Sequence, residues 1–222
     1  MMLSIGINAQ PDHTLWSQVL ADHVTTDGRV DYKAIANKPE GLISYLNALV
    51  TQQPEASWSL EDQMAYWINA YNAYTIKLII DHYPIKSIRD IEQPWDQNFI
   101  PYNQGLISLN HIEHKILRKQ NEPRIHFAIV CASISCPKLA NTAFTAEELE
   151  TQLEEVTRTF LNDPSKNRFE EDTAELSKIF KWFSKDFKDR GGAIEFIKTY
   201  KDISVANKSQ LSYLEYNWDL NE

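Results

Sequence analysis

Cysteine is nearly absent from this chain: two residues in 222, Cys131 and Cys136, far too few for a disulfide scaffold. Positive charge is in deficit, with 22 Lys and Arg against 31 Asp and Glu and a net charge of −9. That balance argues against general binding to nucleic acid or to an anionic membrane surface, because both need a concentrated positive face. The nearest thing to a basic run, Lys178 to Lys188, is interleaved with Asp186 and aromatics and reads as an amphipathic surface. No stretch approaches the roughly 20 apolar residues of a membrane span. The six glycines and nine prolines are scattered as punctuation, and no repeat, low-complexity tract or linker stands out. Residues 10–222 are therefore expected to form one globular domain. A Walker loop, GxGxxG, GxSxG and HExxH are all missing, which removes the nucleotide, dinucleotide, serine-hydrolase and zincin readings. No cofactor is expected.

What the chain does have is a long helical pattern from Ser59 to Pro84. Ser59 followed by Asp62 forms a capping-box signature, and Pro84 cannot continue a helix. From Ala65 to Ile80 the pattern is apolar on nearly every side, with Tyr66, Trp67, Ile68, Tyr71, Tyr74, Ile76, Leu78 and Ile79. Such a helix is buried in a core. Asn69 and Asn72, three apart inside it, each need a hydrogen-bond partner or cost roughly 1–3 kcal/mol.

Around this helix the spacing predicts helices at His13–His23, Leu42–Val50, 146–160, Trp182–Phe187 and Ala193–Tyr200. A hairpin is expected over Asn98–Leu109, with Gly105 supplying the positive φ of its turn. Asn110 and Glu113 read as a capping box for a helix to about Lys119. Pro123–Ser133, apolar on both faces, reads as the central strand of a sheet. Short strands are expected at Asn167–Phe169 and Ala174–Ile179, and Leu211–Trp218 as a closing strand. The expected class is α+β: helix-rich, around a buried central helix at about 60–83, with a small, mainly antiparallel sheet. The first nine residues, MMLSIGINA, read either as the remnant of a secretory signal or as a frayed terminus.

Several blocks in one order carry a resemblance. GRVDY at Gly28, YWINAYNAYTIKL at Tyr66, HYPIKSIRDI at His82, SLNHIEHKILR at Ser108, PRIHFAIVCASISCPKL at Pro123, TRTFLND at Thr157, LSKIFKWFSKDF at Leu176 and the final YNWDLN together resemble the domain-of-unknown-function family 547. The resemblance covers the chain after residue 12. It implies a bacterial single-domain protein with a secretion signal, and so a periplasmic or secreted location, with the cytoplasm as the alternative. It implies no activity.

The residues that can carry chemistry gather around the thiols. Held extended, Cys131 and Cys136 would lie roughly 17 Å apart, so a disulfide requires the chain to turn within residues 132–135. The alternatives are a close dithiol, or two buried small hydrophobes. Cys131 as a nucleophile needs a base to form thiolate near neutral pH. His126 points to the opposite face of the expected strand, which leaves His114 or His111 as the base. Those two histidines with the two cysteines make a set of zinc-ligand types, but nothing in the sequence brings the four together, and no metal is assigned. Asn69, Asn72, Trp67, Arg89, Trp95 and His126 are candidate binding residues. The asparagines, though, are better explained as buried amides tying down neighbouring turns, and His126 as a satisfied core histidine.

Two readings follow. The first is a non-catalytic module whose cleft, near the central helix and the Cys131/Cys136 loop, binds a small molecule or peptide, with the cysteines as a structural disulfide. The second is a cysteine-dependent hydrolase or acyl transferase acting on a peptide or amide through Cys131.

Overall fold

The computed structural model describes residues 11–205 and 210–222; the MMLSIGINA run at 1–9 lies outside them. Four helices come first: α1 (Thr14–His23), α2 (Tyr32–Asn37), α3 (Glu40–Thr51) and α4 (Leu60–His82). α4 is the organising element. Its capping box is complete, with the Ser59 hydroxyl accepting from Asp62 N–H and the Asp62 carboxylate accepting from Ser59 N–H. Every residue from Met64 to Ile79 is buried except Lys77, which pairs with Asp81 one turn on. An all-round apolar helix finds partners on every side. Trp16, Val19 and Leu20 of α1, Ile35 of α2, and Leu42, Tyr45 and Leu49 of α3 join it in one hydrophobic cluster.

A hairpin follows, β1 (Ile100–Tyr102) against β2 (Gly105–Ile107), antiparallel. Its positive φ angles fall on Asn103 and Gln104, the two central residues of a tight hairpin turn. Gly105 instead starts β2 opposite Tyr102. The chain then coils through α5 (Leu109–His111), a π-helical turn Ile112–Ile116 and a 3₁₀ turn Leu117–Gln120.

The expected strand at Pro123–Ser133 is not one. Residues Ile125–Ala128 form a single helical turn, α6, and only the following residues extend. The apolar run is real, but it serves two cores. Ile125, Ala128, Ile129 and Val130 join the cluster around α4, whereas Phe127 packs into a second cluster with Phe160, Phe180, Phe187 and Phe196. A continuous apolar run shows only that the segment is buried and does not decide between helix and strand. This one threads a seam between two cores, and among the described residues its one ladder contact is the isolated bridge from Ser133 to Leu220.

The second cluster is built from α7 (Leu149–Asn162), β3 (Arg168–Phe169), β4 (Ala174–Leu176), α8 (Ile179–Trp182), α9 (Ala193–Lys198) and β5 (Leu211–Tyr213). β3 and β4 pair antiparallel, and β4 and β5 parallel. The class is thus helix-rich α+β, with two small sheets among the described residues. β5 is shorter than the closing strand the sequence suggests. Beyond it the tail runs as a strap: Asp219 bridges Ser87, and Leu220 bridges Ser133. At its end Asn221 accepts from the Tyr32 hydroxyl at 2.7 Å and donates to the Gly28 carbonyl at 3.1 Å, joining the GRVDY and YNWDLN blocks. Gly28 itself has φ +83°, and a Cβ there would meet Lys138 Cα and Cβ at 2.9 and 2.8 Å. The close approach and the backbone angle both demand glycine.

The two asparagines of α4 hold the seam. Asn69 donates to the Phe144 carbonyl at 2.7 Å and accepts from Phe144 N–H at 2.9 Å. Asn72 donates to the Ala128 carbonyl and accepts from Val130 N–H, both at 2.9 Å. Each amide does for an irregular segment what a neighbouring strand would otherwise do. Asn72→Ala strands a buried carbonyl and a buried N–H, so it should destabilise the fold by about 2–5 kcal/mol, read as a lower urea midpoint. A loss under about 0.5 kcal/mol, the size of an ordinary surface substitution, would show that Asn72 does not hold the seam.

Candidate functional site

At the seam lies a cleft of about 200 Å³. Its floor is the Cys131–Cys136 loop, which turns as a disulfide requires. Ala132 takes a positive φ of 56°, Cys136 N–H donates to the Ser133 carbonyl at 3.0 Å, and the two Cα atoms come to 6.2 Å with the sulfurs bonded. The strap fixes this loop, since Ile134 and Ser135 N–H groups donate to the Asp219 and Asn217 carbonyls. Above the sulfurs stands the Tyr216 hydroxyl, 3.3 Å from each. It donates to Cys136 Sγ and accepts from Ser133 Oγ, also at 3.3 Å.

The walls are aromatic. Trp182 meets Tyr216 at 4.8 Å and Trp218 at 5.8 Å between ring centroids, and Trp218 meets Trp95 at 5.7 Å. Tyr71 of α4 and Phe183 complete the lining, and Trp182 stays 46% exposed at the rim.

One acid faces this surface. Glu113, at the start of the π-helical turn, is 7% exposed and lines the cleft. The sequence reads it as a cap. In the structure Ser108 is the cap, its hydroxyl accepting from His111 N–H at 3.1 Å, and Asn110 donates to Asp96 instead. The wide π turn, a feature often found at functional sites, buries Ile112 and Glu113 side by side. The Glu113 carboxylate accepts one long hydrogen bond, from the Tyr71 hydroxyl at 3.4 Å. Burial, only partly offset by Arg118 and Tyr71, pushes its pKa up to about 7.

Behind this acid runs a closed polar chain. Arg118 is bidentate to Asp186 at 2.5 and 2.6 Å and donates to His114 Nδ1 at 2.9 Å. His126 Nε2 meets Asp186 at 2.8 Å while its ring stacks on Phe183 at 3.9 Å. Burial alone would raise Asp186, but the hydrogen bonds from His126 and Arg118 outweigh it and hold the carboxyl well below the usual range. Burial lowers both His114 and His126, with Arg118 adding to the effect and Asp186 opposing it.

Of the residues singled out from sequence, Cys131, Cys136, His114, Trp95 and His126 line the cleft. His111 does not line it. Asn69 and Asn72 have their amides engaged by backbone. Trp67 packs against Tyr66 and Tyr102. Arg89 sits over the Trp218 ring at 5.3 Å, bracing a cleft wall. Among the described residues no three His, Cys, Asp or Glu side chains converge as a metal site.

Glu113, Tyr71, Trp182, Phe183, Tyr216 and Trp218 escape the sequence reading. Glu113 left a signal. Leu109, Ile112, Glu113, Ile116 and Leu117 follow the i, i+3, i+4, i+7, i+8 stripe of a core-facing helix, and the acid occupies an apolar position in it.

Residues 56–161 match a family model described as "Protein of unknown function, DUF547". The GRVDY, LSKIFKWFSKDF and YNWDLN blocks lie outside the matched span, so Trp182, Tyr216 and Trp218 reach the cleft from beyond it. No curated protein and no solved structure matches the chain.

The disulfide closes a loop of five residues' separation. Its removal by Cys136→Ser should cost about 2 kcal/mol by the loop-entropy relation, measured by denaturant unfolding. Native protein purified without reductant should take up no alkylating reagent at Cys131. Rapid labelling of Cys131 in such protein would contradict the assignment.

Proposed function

Through residues 56–161 the chain belongs to the DUF547 family, whose description names no activity, so we propose its function from the site: a non-catalytic module that binds a small organic ligand, or a peptide side chain of the same size, in the aromatic cleft above the Cys131–Cys136 disulfide. The observation that carries this reading is the wall of Trp95, Trp182, Phe183, Tyr216 and Trp218 around a cleft of about 200 Å³. Aromatic walls with a few convergent polar groups are the usual composition of a ligand pocket. The volume falls below the roughly 300–1,000 Å³ of drug-sized sites, so the occupant is compact.

The disulfide supports binding ahead of catalysis. Cys131 Sγ is joined to Cys136, and His114, the candidate base that lines the cleft, has Nδ1 engaged by Arg118. A hydrolase reading would need the disulfide reduced first. The bond also fits an oxidising compartment, and we extend the proposal to a periplasmic or secreted location.

The test is a thermal-shift screen of compact apolar, aromatic and charged compounds and short peptides against wild type and Trp182→Ala. Trp182 is exposed enough for its loss to spare the fold. Hits should raise the melting temperature of wild type and lose about tenfold or more in affinity on the variant, as loss of a stacking platform implies. Hits that bind both proteins equally would place the ligand elsewhere.

A further inference from the structure

The aromatic wall and the buried acid share one cleft, and each is incomplete without the other. Glu113 is more than nine-tenths buried, faces the cleft and, among the described residues, accepts only the long Tyr71 hydrogen bond. A buried carboxylate with one weak partner lacks most of the hydrogen bonding or pairing that would offset its desolvation. Its neighbours do not supply the difference. Arg118 is held bidentately by Asp186, and those two charges cancel. His114 and His126 are both shifted toward the neutral form. Tyr71 and Tyr216 are neutral phenols, with burial raising both pKa values. The ionised Glu113 is therefore the uncompensated charge of the cleft.

What the walls offer is a surface that attracts cations. Ring faces carry negative quadrupole potential, strongest for Trp and next for Tyr, and Trp95, Trp182, Tyr216 and Trp218 line the same cavity as the acid. Trp218 already carries one cation, the Arg89 guanidinium at 5.3 Å. Tyr71, which lines the cavity together with these rings, donates its hydroxyl to Glu113, so one aromatic of the lining is tied to the acid. The net charge of −9 favours approach of a cation.

Resting on the cleft reading above, we propose that the occupant is a compact organic cation, a substituted ammonium group, held between the aromatic wall and the Glu113 carboxylate. A free amine and the modified lysine of a peptide would present the same chemistry.

The probes are choline, its neutral carbon isostere 3,3-dimethyl-1-butanol, and a short peptide carrying trimethyl-lysine, titrated by calorimetry against wild type and Glu113→Gln at pH 8 and pH 6. Choline should bind wild type about tenfold or more tightly than the isostere, as a desolvated cation–aromatic contact with a paired carboxylate implies. The preference should shrink several-fold in Glu113→Gln, which keeps only the aromatic wall. With the carboxyl titrating near 7, protonation at the lower pH removes its charge, so choline affinity should fall about tenfold from pH 8 to pH 6. In Glu113→Gln it should stay flat. Choline and peptide arms differ only in source, and preferential binding of choline over the isostere, or of the peptide to wild type over Glu113→Gln, supports the assignment. Equal affinity for choline and the isostere overturns the cation assignment and leaves the cleft reading standing. Binding by none of the probes, together with a blank screen in the cleft, overturns both.

Discussion

Two side-chain amides on a buried helix hold this structure together. Asn69 and Asn72 reach from α4 to the backbone at Phe144, Ala128 and Val130, positions that pair with no strand among the described residues. Buried backbone groups must be satisfied by something. Here the satisfying groups are side chains, which is why polar residues are tolerated in a helix otherwise surrounded by apolar contacts. The consequence is positional. Val130 directly precedes Cys131, so the amide that secures Val130 also sets where the disulfide loop begins. The C-terminal strap then fixes the loop from the other side through Ile134 and Ser135, and it carries Tyr216 and Trp218 to the cleft.

How much of this was legible in the sequence depends on whether the deciding interaction is local. The central helix was readable because its cap, Ser59 with Asp62, and its stop, Pro84, are adjacent to the pattern they bound. The hairpin was readable for the same reason, although the positive φ fell on Asn103 and Gln104. The segment Pro123–Ser133 misleads because an apolar run reports burial, and whether it becomes strand or helix depends on what lies beside it. Glu113 misleads because Asn110-x-x-Glu113 satisfies the spacing of a capping box while Ser108, two residues earlier, takes the cap. Tyr216 and Trp218 reach Cys131 and Trp95 only because the tail crosses back over residues 86–87 and 133–135, and no local pattern announces that crossing. Asn69 and Asn72 were legible as a problem needing partners, and the structure supplies backbone partners for both.

The polar groups of the cleft divide by how completely they are paired. Arg118, Asp186, His114 and His126 close on one another, and a closed network adds rigidity without reaching outward. Glu113 stands apart, buried with one long contact. Stability alone gives no reason to place an acid in the stripe of Leu109, Ile112, Ile116 and Leu117, since an apolar residue there would remove the desolvation cost. A position that costs stability and faces a cleft is where function is expected to be written.

The measurement that tests this account most directly is a carbon-detected NMR titration of the Glu113 side-chain carboxyl in the native protein. A midpoint near 7, about two to three units above an ordinary glutamate, is the predicted result and establishes a buried, under-paired acid in the cleft. A midpoint close to 4 would mean that water or an unrecognised partner already satisfies the carboxylate, and the account of the cleft as an aromatic site with an uncompensated charge would be contradicted.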